Sequence, residues 1–198
     1  MRSLARPGGN VTGLFLNFPE LGGKWLQLLR DADPQVRAVG ILWDSATGFG
    51  QLDAVKIAAQ SFGVELSVLS VRTADNFDDA LRPGLKDGVR AVVVLSSPIF
   101  QGNSARIAAL TIRNRLPAIS AFREFADAGG HVAYGPDLRE LFRRSALYVA
   151  KIIEGAKPDD LPIEQPTKFQ LVINLKKAKA LGLTIPQSLL LRADEVIQ

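Results

Sequence analysis

Short runs rich in β-branched residues alternate along this chain with runs that repeat an apolar residue every three or four positions. Residues 36–43, 64–71, 91–95, 117–120 and 131–134 read as strands. The run Ala91-Val92-Val93-Val94-Leu95 has no polar face. Such a strand has to be covered on both sides, as in a parallel sheet flanked by helices. Between the strands, Trp25, Leu28, Leu29 and Ala32 keep helical spacing until Pro34. Leu52, Val55, Ala59 and Phe62 repeat the pattern, and Gly63 stands where a helix end favours left-handed backbone. Asn103 or Ser104 suits the start of a helix carrying Ile107, Ala108 and Ile112. Asp137 with Glu140 makes an acidic capping box ahead of Leu138, Leu141, Phe142, Val149, Ile152 and Ile153. Asn174 suits the start of a short helix through Leu175, Ala178 and Leu181. Phe77, Ala80, Leu81 and Leu85 are spaced helically too, but Pro83-Gly84 is expected to kink or break that helix. Residues 155–166, with Pro158, Pro162 and Pro166, read as an extended connection.

Strand–helix alternation predicts right-handed βαβ units. The expected fold class is α/β, doubly wound, with a mainly parallel sheet and helices on both faces. Ligands of such sheets bind beyond the carboxyl ends of the strands. The candidate binding residues are therefore Asp44 and Ser45, Ser96, Ser97 and Pro98, Phe122 and Arg123, Tyr134, and Asp137. The serines offer hydroxyls, Pro98 fixes a turn, Arg123 suits a bidentate carboxylate, and Phe122 and Tyr134 suit apolar walls. Structural readings stay open beside these. A serine pair after a strand also serves as ordinary capping, Arg123 as a surface residue, and Phe122 as core.

Composition narrows the chemistry. The chain has 198 residues, 47% of them hydrophobic and 22% charged, which suits a folded domain rather than a disordered one. With no Cys and one His, disulfides, thiolate catalysis and two-histidine metal motifs are excluded. No metal or other cofactor is expected. The net charge of +4 is scattered, and no nucleic-acid reading motif accompanies it, so no nucleic-acid partner is expected. No apolar run reaches the length of a membrane span. Gly8-Gly9-Asn10-Val11-Thr12-Gly13 has neither dinucleotide nor P-loop spacing. No Gly-x-Ser-x-Gly elbow is present, and His131 opens a strand after a glycine turn, so an enzyme is not expected.

Several segments together resemble a known family. They are Ser3-Leu4-Ala5-Arg6-Pro7-Gly8-Gly9-Asn10-Val11-Thr12-Gly13, Phe122-Arg123-Glu124-Phe125 with Ala128-Gly129-Gly130, and Tyr134-Gly135-Pro136-Asp137. Leu161-Pro162-Ile163-Glu164-Gln165-Pro166-Thr167-Lys168-Phe169 and Val172-Ile173-Asn174-Leu175-Lys176 continue the pattern, as do residues 178–195. The chain is similar to ABC-transporter substrate-binding proteins of the TrpX-like type, which share the type I periplasmic-binding-protein fold. That resemblance implies capture of a small solute, an amino acid or other small carboxylate, in an interlobe cleft. It implies an ABC permease and ATPase as partners, and a periplasmic or lipoprotein-anchored location. It also implies a division of the chain. Residues 1–19 would be a remnant of the first lobe and crossover, and 20–120 the second lobe. Residues 121–165, with the strand at His131 and the helix from Leu138, would return to the first lobe. Residues 166–198 would cross back and form the C-terminal part of the second lobe. On this reading the chain is a truncated form without a leader, and the helix from Leu138 lacks part of its cover. The alternatives are the ligand-sensing core of a transcriptional regulator or signalling receptor and, further off, an α/β hydrolase.

Overall fold

A computed structural model describes residues 3–198. In chain order the principal elements are β1 (Gly13–Leu14), α1 (Gly22–Ala32), β2 (Ala38–Asp44), α2 (Gly50–Phe62), β3 (Glu65–Val71), α3 (Phe77–Lys86) and β4 (Ala91–Val94). There follow α4 (Pro98–Gly102), α5 (Ser104–Arg113), β5 (Ala118–Ser120), α6 (Arg123–Asp127), β6 (Val132–Pro136) and α7 (Leu138–Ile153). The last are β7 (Ile163–Glu164), β8 (Phe169–Asn174), α8 (Leu175–Ala180), α9 (Gln187–Leu190) and β9 (Glu195–Ile197). The chain forms two compact units. The larger is Phe18–Gly135 with Gln170–Gln198, and the smaller is the chain up to Asn17 with Pro136–Phe169.

The larger unit is built on a seven-stranded sheet of order β3-β2-β4-β5-β6-β8-β9. β2 runs parallel to β3 and to β4, β4 to β5, β5 to β6, and β8 to β9. β4 is buried at every position, as its apolar run demands. One face carries Leu42, Leu69, Val92 and Val94 against Phe77, Leu81, Phe100 and Ile107. The other receives α1, which packs on β4 and β5 and buries Trp25, Leu28 and Leu29. Each such side chain contributes roughly 1.5–3 kcal/mol by leaving water. The Trp25 indole N–H donates to the Tyr134 carbonyl at 2.8 Å, so α1 is also pinned to β6.

Pro83 does not break α3. The helix runs from Phe77 to Lys86 with Pro83 on its exposed side, while Phe77, Leu81 and Gly84 are buried. Burial of the apolar stripe outweighs one lost backbone hydrogen bond on the solvent face. Gly84 lets the helix close on the sheet, since a Cβ there would lie 2.7 Å from Leu69 Cδ2.

Residues 121–135 also depart from expectation. The strand at His131 was expected to return to the first lobe, but β6 pairs in the larger sheet, with Ile119 opposite Val132 and Ser120 opposite Ala133. Its Gly135 backbone lies against Ala121, where a Cβ would meet the carbonyl oxygen at 2.1 Å. That close approach holds the segment with the larger unit.

In the smaller unit, β1 pairs in parallel with β7 through Gly13↔Ile163 and Leu14↔Glu164. Thr12 donates its hydroxyl to the Leu161 carbonyl at 2.8 Å. α7 is joined to the same segment by the Tyr148 hydroxyl, which donates to the Pro162 carbonyl at 2.7 Å, and by an Arg144–Glu164 ion pair. Burial, and then Glu164, push the Tyr148 hydroxyl up to about 12. Only Leu141 and Tyr148 of α7 are buried, while Phe142, Leu147, Val149, Ile152 and Ile153 are exposed.

Two substitutions test the packing at Gly135. Gly135→Ala drives a methyl into backbone and should lower stability by about 1–3 kcal/mol. Gly102→Ala, with open space around it, should leave the urea midpoint nearly unchanged. Equal midpoints for the two variants would refute the close-approach account.

Candidate ligand-binding site

The first strand of the larger sheet, β2, lies inside it, with β3 on one side and β4 on the other. The winding direction reverses between β2 and β4, and their carboxyl ends therefore flank a topological switch point, the place where open α/β sheets hold ligands. Asp44 ends β2 there, and Ser96 and Ser97 follow β4.

Asp44 and Ser45 shape this rim. Asp44 is 3% exposed. Its Oδ1 accepts from the Ala46 amide at 2.9 Å, and its carbonyl accepts from the Thr47 hydroxyl at 2.7 Å. Ser45 donates to the Val71 carbonyl from its amide at 2.8 Å and from its hydroxyl at 3.2 Å. These bonds hold the β2–α2 turn against the end of β3. Across the switch point, Gln51 of α2 grips the backbone of Ser96. Its Oε1 accepts from the Ser96 amide at 2.9 Å, and its Nε2 donates to the Ser96 carbonyl at 3.0 Å. Nothing in the local sequence singles out Gln51, because its partner lies 45 residues on.

A narrow notch opens beside this clamp. Ser96, Ser97, Phe100, Gln101, Ser104, Ser120, Phe122 and Phe125 line it, and its free space is about 10 Å³. That is the room of a single water-sized group. Ser97 caps α4, its hydroxyl accepting from the Phe100 amide at 3.2 Å, and Pro98 occupies the first turn. Phe122 is buried and meets Phe18 edge to face, with ring centroids 5.7 Å apart. The structure thus gathers Ser96, Ser97 and Phe122 at one place and adds Ser120, which sequence reasoning treated as a strand residue only.

The other candidates are placed differently. Arg123 is partly exposed and engaged by two carboxylates, with one set of donors on Asp127 at 3.0 and 3.2 Å and another on Glu195 at 2.8 and 3.0 Å. Those hydrogen bonds, first to Asp127 and then to Glu195, raise its pKa further above an already high value. Its planar fork thus joins α6 to β9. Tyr134 is half-buried in β6. Burial raises its hydroxyl pKa, with Asp194 adding to the effect and Arg192 opposing it. Asp137 belongs to the smaller unit, where its Oδ1 caps α7 by accepting from the Arg139 and Glu140 amides at 2.9 and 3.3 Å.

Near the end of β2, Trp43 and the exposed Phe49 stack with centroids 5.1 Å apart, an aromatic pair at the start of α2. Among the described residues, no group of three or more acidic or His side chains is placed to hold a metal ion. No helix among them is long and apolar enough to cross a membrane.

The doubly wound parallel sheet recurs in known proteins. Residues 1–197 match the family described as ABC transporter substrate binding protein, and the chain belongs to that family. A tyrosine-binding protein of Clostridioides difficile (strain R20291) is 20% identical over 187 residues, covering 92% of this chain and 53% of that protein. The structure of an ABC domain in complex with L-Trp from Streptococcus pneumonia matches with a TM-score of 0.88 at 24% identity, over 100% of this chain and 66% of that one. A conserved domain protein from Vibrio cholerae gives a TM-score of 0.87 at 22% identity, over 99% of this chain and 66% of that one. The chain thus spans about half the length of the curated relative and just under two thirds of those solved structures.

His131 is 1% exposed, and neither ring nitrogen has a hydrogen-bond partner. Burial pushes its imidazole down to about 4, against an ordinary value near 6.5. The unfolded chain therefore binds the proton first as the pH falls. The stabilising contribution of neutral His131 is complete above about pH 6.5 and is lost progressively down to about pH 4, by roughly 3 kcal/mol in total. Urea denaturation between pH 7.5 and pH 4 should show this slope, and His131→Leu should flatten it. A slope that persists in the variant would assign it to other groups.

Proposed function

We propose that this chain captures a small solute for an ABC importer, with an amino acid or other small carboxylate as the solute class. The observation that carries the proposal is the convergence of Ser96, Ser97 and Phe122 at the carboxyl-end rim of a switched parallel sheet. That rim offers what small-molecule sites need: a few oriented polar groups against apolar walls. Family membership and the relatives' printed ligands, tyrosine and L-Trp, support the class.

In this reading the larger unit supplies one wall of the binding site. Asp44, Ser45 and Pro98 set the backbone of that wall, and Ser96, Ser97 and Phe122 face the solute. Tyr134 and Asp137 take supporting positions farther along the chain, and Arg123 holds α6 and β9 in register. The protein works outside the inner membrane and hands its solute to a permease driven by an ATPase. No bond is made or broken in the solute, so release rather than turnover completes the cycle.

Ligand binding to the folded state alone raises stability, by about 2.7 kcal/mol at a hundredfold excess over Kd. The melting temperature of the full chain should therefore rise by several degrees with at least one member of a panel of free amino acids and small carboxylates at millimolar concentration. Calorimetry on that member should give one site per chain. A panel with no shift and no heat would sink the proposal.

A further inference from the structure

The notch at the carboxyl ends of β4 and β5 carries more information than a general binding surface. Four serines line it, and their hydroxyls are not equivalent. The Ser97 hydroxyl is committed to the Phe100 amide. The Ser104 hydroxyl donates within its own turn, to the Gln101 carbonyl at 2.9 Å and the Phe100 carbonyl at 3.3 Å. Among the described residues, the hydroxyls of Ser96 and Ser120 have no hydrogen-bond partner; Ser120 is 8% exposed and Ser96 is half-buried. Both hydroxyls still reach solvent, so a solute that displaces water from them has to replace its hydrogen bonds or lose affinity.

The positions of these two hydroxyls are fixed from elsewhere. Gln51 holds both the amide and the carbonyl of Ser96. Ser120 lies on β5 in register with Val94 of β4 and Ala133 of β6. Phe122 and Phe125 wall the same space. None of the residues lining it carries a charge, and Arg123 next to Phe122 is occupied by Asp127 and Glu195. A carboxylate entering the notch would lose its water without gaining a countercharge. The free space of about 10 Å³ admits one small group.

We propose that Ser96 and Ser120 together read a single neutral hydrogen-bonding group of the solute, such as a hydroxyl, amide or ring N–H, attached to an apolar body that rests on Phe122. This rests on the solute-capture reading above and adds Ser120 to the site as a specificity-determining residue. The two hydroxyls donate to or accept from that one group, and an analogue lacking it leaves both of them unpaired. Discrimination then comes chiefly from rejection of the analogue.

Matched pairs test the idea by calorimetry: L-tyrosine against L-phenylalanine, and L-threonine against L-valine, alongside whichever panel member binds. The polar member should bind about tenfold more tightly. Ser120→Ala and Ser96→Ala should each bring the ratio towards one, with ligand-free melting temperatures within a few degrees of the parent. If Ser120→Ala or Ser96→Ala melts far below the parent, Ser120→Thr or Ser96→Thr, which keeps the hydroxyl, should restore both folding and preference. Equal affinities within each pair, or affinities unchanged by Ser96→Ala and Ser120→Ala in whichever solute binds, would overturn the inference and leave solute capture standing. If neither pair nor any panel member binds, the function reading falls and this inference falls with it.

Discussion

The fold depends on the need to cover β4 twice. Every position of that strand is buried, so helices must lie on both faces of the sheet. Parallel neighbours on each side follow, because helical crossovers are what bring cover to both faces. With β2 inside the sheet, the winding must reverse between β2 and β4, and the reversal leaves a rim at the carboxyl ends that no crossover fills. The rim is thus a by-product of how a doubly apolar strand is buried.

At that rim most polar side chains are used to hold the backbone. Asp44 and Ser45 fix a turn, Ser97 caps a helix, and Arg123 ties α6 to β9. Exposed ion pairs contribute little on average, but a guanidinium shared between two carboxylates restricts geometry even where its net energy is small. The consequence for recognition is economy. Few groups remain uncommitted at the rim, and under the proposed function their identity matters more than their number.

Much of the architecture was legible in sequence because it rests on local rules. Gly63 does adopt left-handed backbone, with φ of 60°, and Asp137 and Asn174 cap the helices they were expected to cap. What escaped was non-local or too short. β9 has three residues, too few for periodicity to register. α3 survives its proline through tertiary burial that no window around Pro83 reveals. Arg123 and Asp127 stand at helical spacing, but Glu195 lies 72 residues away from Arg123. Ser120 read as one polar residue at a strand end, and only the sheet order places it beside Ser96.

The Gln51 clamp has a consequence for how this rim can change over time. In most turns a residue's own side chain helps to set its backbone, so altering the side chain alters the shape. At position 96 the shape is imposed from another element through the amide and carbonyl that every residue except proline possesses. Chemistry and geometry are thereby separated: the side chain at 96 is free to drift while the path of the chain is preserved. At such a position a new side chain can arise without a cost in foldedness.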